Sequence, residues 1–136
     1  MRKILRTLLV SISFSLSLYF SGASFSLTCP SAQQIKSVTL MRSIQHPVDP
    51  DLWDFISTRF FHDDLEWEVY FGTFFPGVKD PREALRLGQD YFKSKAEIII
   101  EGPEPEQIPG MILCEYTPTG REYWIAANTP PSGKNN

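Results

Sequence analysis

The sequence predicts a single α+β domain: an antiparallel sheet of about five strands, two helices packed on one of its faces, and one disulfide. Three observations carry that expectation. Two aromatic-rich runs, Leu52 to Phe61 and Leu65 to Phe75, flank the turn-forming His62-Asp63-Asp64. A proline-led helical pattern opens at Asp80-Pro81, and a second pair of apolar runs brackets Thr117-Pro118-Thr119-Gly120. The only two cysteines, Cys29 and Cys114, stand at the two ends of this region.

The domain is preceded by a leader. Arg2, Lys3 and Arg6 are followed by a 13-residue apolar stretch, Leu8 to Phe20, and then by small residues to Ser26. That order is the one a secretory signal peptide uses, and the apolar stretch is shorter than the about 20 residues of a membrane span. Ser21-Gly22-Ala23 places cleavage after Ala23, and Ser24-Phe25-Ser26 offers the alternative after Ser26. The expected organisation is a signal peptide at 1–26, one domain at 27–128 and a disordered tail at 129–136. A lipid on Cys29 is disfavoured, because Ser26 and Thr28 are poor residues for a lipoprotein cleavage site.

Of 13 basic residues the leader takes three, leaving 10 against 16 acidic ones and a net charge of −6. Nucleic acid and anionic lipid both demand a basic surface, so neither is an expected partner. Export places the chain in an oxidising compartment, periplasmic or extracellular, where two cysteines with no other partner form one intramolecular disulfide. A thiol enzyme would need one of them free beside His46 or His62. Zinc lacks its ligand spacings here, and no cofactor is expected.

Each element follows from its residues. Pro30 to Lys36 opens a helix, and Ile35, Val38 and Met41 or Leu40 continue its apolar spacing, although β-branched residues favour an extended chain in the second half. His46-Pro47-Val48-Asp49-Pro50-Asp51 is a loop. The two aromatic runs make a hairpin turning at Asp63-Asp64. That register sets Phe60 opposite Trp67, Thr58 opposite Val69, Ile56 opposite Phe71 and Arg59 opposite Glu68. Asp80 caps a helix with Pro81 at its first position and Ala84, Leu87 and Tyr91 on its buried stripe. Ala96 to Ile100 reads as a strand and the acidic, proline-containing Glu101 to Glu106 as a loop. Met111–Tyr116 and Arg121–Ala127 form the last hairpin, with Cys114 opposite Trp124 and Leu113 opposite Ile125, so that an indole covers the disulfide.

Groups that look chemical have simpler roles. His62, Asp63, Asp64, Glu66 and Glu68 read as a hairpin tip and a solvated strand face. Asp49, Asp51 and Asp54 lack the glycine and distal glutamate of a calcium loop. Glu115 and Glu122 are near each other on exposed strands, and no nucleophile motif is present. If Phe60, Trp67, Val69 and Phe71 fill the core, the remaining aromatics Trp53, Phe55, Tyr70, Phe74 and Phe75 either meet a second layer or form an exposed binding surface.

Cys29-Pro30-Ser31 running into a helix with Ile35, Trp53 in a first strand, and the late Cys114-x-Tyr116 strand resemble a pattern in small exported proteins of Legionella-like bacteria. The resemblance implies an extracytoplasmic α+β domain with one disulfide and no assigned activity. The acidic stretch before Pro109-Gly110 has no counterpart in it. The functional expectation is a non-catalytic exported binding protein whose aromatic hairpin meets a protein or cell-envelope component, with no membrane span after cleavage. A small secreted hydrolase, an enzyme inhibitor and a structural subunit of an envelope complex are the alternatives.

Overall fold

A computed structural model describes residues 27–133. The leader expected at 1–26 lies outside the described residues. Within them the chain forms an antiparallel sheet of seven strands with two helices and one disulfide. The class is the expected one, but the sheet has seven strands where the sequence predicts about five.

The first surplus strand comes from the N-terminal helix stopping early. Helix α1 spans Ala32–Lys36 and is opened by a capping box: Gln34 N donates to Ser31 Oγ at 3.2 Å and Ser31 N to Gln34 Oε1 at 2.8 Å. The chain then turns extended as strand β1, Leu40–Gln45. Only Leu40 of that strand is buried, so its sequence shows little strand alternation.

Strands β2 (Leu52–Ser57), β3 (Phe60–His62) and β4 (Leu65–Phe74) form the aromatic hairpin. Its turn is Asp63-Asp64, with φ of 51° and 59°, the left-handed pair that a two-residue type I′ turn requires. Phe60 faces Trp67 as expected. Beyond the break at 58–59 the register slips by one: Ile56 faces Tyr70 and Phe55 faces Phe71. Ser57 causes the slip. Its hydroxyl accepts the Val69 N–H at 2.8 Å, standing in for a backbone carbonyl, while Thr58 N turns away to the Thr39 carbonyl at 2.8 Å. Because side chains alternate, this one-residue slip moves Phe55 into the core and Ile56 to the other face. Arg59 accordingly meets Glu66, at 3.5 Å, and not Glu68.

Helix α2, Pro81–Ser94, starts where expected, with Arg82 N donating to Asp80 Oδ1 at 2.9 Å. It buries Ala84, Gly88 and Phe92. Lys36 from α1 donates to the carbonyls of Phe92 and Ala96, placing a cation at the C-terminal end of α2, where the helix dipole favours it.

Ala96 to Ile100 is not a strand. Tyr123 Oη bonds both the N–H and the carbonyl of Glu97 at 3.0 Å, and the N–H groups of Ile99 and Ile100 converge on the Tyr116 carbonyl. Those two contacts hold the segment across the strands instead of beside one. The strand here is β5, Glu106–Ile108, which begins in the stretch expected as a loop. It pairs with β6, Met111–Glu115.

Strand β7 runs from Tyr123 to Thr129. Cys114 faces Ala127 and Leu113 faces Asn128, three residues away from the expected partners Trp124 and Ile125. Tyr116 sets this register. Fully buried, it donates its hydroxyl to the Pro30 carbonyl at 2.5 Å and its N–H to the Ile125 carbonyl, and Thr117 Oγ1 accepts the Ile125 N–H. The loop is therefore longer than the three residues the sequence predicts. An odd-numbered slip also turns Trp124 off the disulfide and onto the opposite face. Where the sequence predicts a disordered tail from residue 129, β7 includes Thr129, and Ser132 binds Glu68.

The sheet order is β1-β2-β4-β7-β6-β5, with β3 added on β4. Phe55, Phe71, Ile125, Ala127 and Cys114 share one face with Ile35 of α1 and with Ala84 and Phe92 of α2. Cys29 is bonded to Cys114 across 85 residues of chain. Closing so long a loop stabilises the folded chain by up to ~4–5 kcal/mol on the chain-entropy model.

Candidate functional site

The five aromatics marked as a possible surface divide between the two faces. Trp53 is 1% exposed and Phe55 fully buried, so neither can touch a partner. Phe55 stacks on Phe71 with ring centroids 5.7 Å apart, and Gly88 of α2 lies against its ring. Phe75 meets Phe55 and Tyr91 edge-on at 6.1 and 6.2 Å and belongs with the same core. The second layer thus takes Trp53, Phe55 and Phe75. Tyr70 and Phe74 remain on the opposite face, where Phe74 is 45% exposed.

That opposite face is the candidate site, and register defines it. One row across the strands is Arg42, Ile56, Tyr70, Ala126 and Glu115. The next is Ile44, Asp54, Gly72 and Trp124, followed by Leu52 beside Phe74. Ile44 is 39% exposed, and Leu52, Tyr70, Trp124 and Ala126 are half-buried. The result is a patch of large side chains with the half-buried Asp54 set within it, between Ile44 and Gly72, and with Arg42 and Glu115 at its margin.

Sequence reasoning missed Trp124, because its face depends on the β6–β7 register. A signal was nevertheless present. Gly72 interrupts a strand of large residues, and a glycine inside a strand marks a close approach. A Cβ there would lie 1.9 Å from Cε2 and Cζ2 of Trp124, so the indole occupies the space that any other residue would fill.

The electrostatics of this face follow its partial burial. Burial lifts the Asp54 carboxyl above its ordinary value, with His46 pulling the other way. Tyr70 is also raised, by burial first and then by Asp54 and Glu68, against Arg42. Glu68 closes one end of the face. It is 2% exposed and its Oε1 accepts Ser132 N at 2.7 Å, Ser132 Oγ at 2.5 Å and Asn128 Nδ2 at 3.3 Å.

The acidic hairpin tip is structural. Thr28 Oγ1 donates to Asp63 Oδ2 at 2.6 Å and His62 Nε2 donates to the Thr28 carbonyl at 3.1 Å, which pins the chain just before Cys29. Asp49 and Asp51 accept backbone N–H groups at turns. Among the described residues no three His, Cys, Asp or Glu side chains converge as a metal site, and both cysteines are joined in the disulfide, so neither is a thiolate. None of the described helices is long and apolar enough to cross a membrane. No family model, curated protein or solved structure matches the chain.

Proposed function

We propose that this is an exported, non-catalytic binding protein that engages a protein or cell-envelope component through the open face of its sheet. The observation that supports this reading is the grouping of Ile44, Leu52, Tyr70, Phe74 and Trp124 on the face opposite both helices. Exposed apolar and aromatic side chains grouped on one face are what binding surfaces use, and Trp and Tyr are enriched among the side chains that dominate their energy. Of the aromatic residues that the sequence offers for this surface, Trp53, Phe55 and Phe75 lie on the core side, and Trp124 joins Tyr70 and Phe74 on the open face.

The test is binding of the purified protein to envelopes isolated from the producing cells, compared with its Phe74→Glu and Ile44→Glu variants. Saturable binding weakened ~tenfold or more by each is expected, since a hot-spot side chain contributes about 2 kcal/mol or more. Absence of saturable binding, or binding that both variants retain, contradicts the reading.

A further inference from the structure

Resting on that binding role, we propose that the open face recognises a neutral saccharide, seated in the cleft beside Trp124. The cleft encloses about 260 Å³ at the end of β6 and β7 and is lined by Glu115, Thr119, Arg121, Trp124 and Ala126, among others. It falls below the roughly 300–1,000 Å³ of drug-sized sites, a scale that suits a single sugar ring of a longer glycan.

The lining chemistry selects that class. One side of the indole is seated on Gly72, which fixes the ring across the strand as a platform. An aromatic face is electron-rich, and the C–H groups of a pyranose ring carry the positive polarisation it attracts. A platform of this kind needs polar groups around its margin to take the hydroxyls. Glu115 supplies acceptors, Arg121 donors in a planar fork, and the Thr119 hydroxyl either. Among the described residues neither the Glu115 nor the Arg121 side chain has a hydrogen-bond or ion-pair partner, so both are free to bind a ligand. One acid and one base leave the cleft without net charge, which favours a neutral polyol over an anion or a cation. The loop that carries Arg121 and Thr119 is held in place by Tyr116 and Thr117 through their bonds to Pro30 and Ile125.

The molecule contains its own reporter. Trp53 and Trp67 are buried, so acrylamide quenching of the mature protein reads Trp124. The probes are neutral trisaccharides of glucose, galactose, mannose and N-acetylglucosamine. At least one is expected to protect Trp124 saturably, and Arg121→Ala and Glu115→Gln are each expected to weaken it ~tenfold, the scale of a lost hydrogen bond to a charged group. Both side chains are exposed, so these variants keep the fold. Protection by none of the four probes overturns the proposal, as does protection that both variants retain. If that failure is accompanied by envelope binding that still depends on Phe74, only the saccharide assignment falls. If envelope binding is absent as well, the binding reading falls with it.

Discussion

Gly72 and Trp124 face each other across β4 and β7 and share one side-chain volume, with the indole standing 1.9 Å from where a Cβ at residue 72 would be. This pair orients the ring that gives the open face its aromatic centre. Gly72→Ala is expected to expel the indole and destabilise the fold by ~1–3 kcal/mol, the usual cost of overpacking. Trp124 emission should shift to the red and become more quenchable. Urea unfolding together with fluorescence checks both, and an unshifted spectrum would show that the ring is not seated on Gly72.

A second close approach lies on the core face. A Cβ on Gly88 would fall 2.5 Å from Cε1 and Cζ of Phe55, which is packed between Phe71 and Phe75. Gly→Ala in a helix ordinarily gains about 1 kcal/mol. Here overpacking of ~1–3 kcal/mol outweighs that gain, because buried Phe55 has no solvent to move into. Gly88→Ala should therefore lower the urea midpoint. A raised midpoint would mean that α2 does not press on Phe55.

The hairpin register depends on Ser57. Ser57→Ala leaves the buried Val69 N–H without its acceptor at 2.8 Å, and an unsatisfied buried donor costs ~1–3 kcal/mol. The variant should lose that stability in urea unfolding, with faster amide exchange at Val69. Unchanged exchange there would contradict the role given to the hydroxyl.

Two aspartates should give pH dependences of opposite sign. Thr28 hydrogen bonds, with a smaller contribution from His62, hold the exposed Asp63 carboxyl below its ordinary 3.8. Between its folded and unfolded values the unfolded chain binds more protons, so its stabilisation is present above 3.8 and is lost as pH falls through the folded value. Burial raises Asp54 above 3.8, so there the folded chain binds more protons, and stability falls as pH rises from 3.8 through the raised value. Asp63→Asn should flatten the acid-side rise and Asp54→Asn the fall above it, as measured by urea midpoints across that range. Identical profiles in the two variants would contradict the assignment.

The sequence was most informative where the structure is local. The Asp63-Asp64 turn, the Phe60–Trp67 pair, the Asp80–Pro81 helix start and the Cys29–Cys114 bond all follow from nearby residue types or from cysteine count. It failed where a distant contact decides. Thr58 leaves the hairpin for Thr39, and Tyr116 reaches back to Pro30. Each shifts a register by an odd number of residues and turns an aromatic, Phe55 or Trp124, to the face opposite the expected one. Strand β1 was hidden because an edge strand with a single buried residue carries no alternation to read.

The central claim is that recognition occurs on the open face, and its most direct test sets Phe74→Glu against Ile100→Glu. Phe74 lies on that face, whereas Ile100 is similarly exposed but bonded through its backbone to Tyr116 on the core side. Titrating isolated envelopes with wild type and the two variants should show binding lost in Phe74→Glu and kept in Ile100→Glu. Equal loss in both, or loss only in Ile100→Glu, would contradict the account.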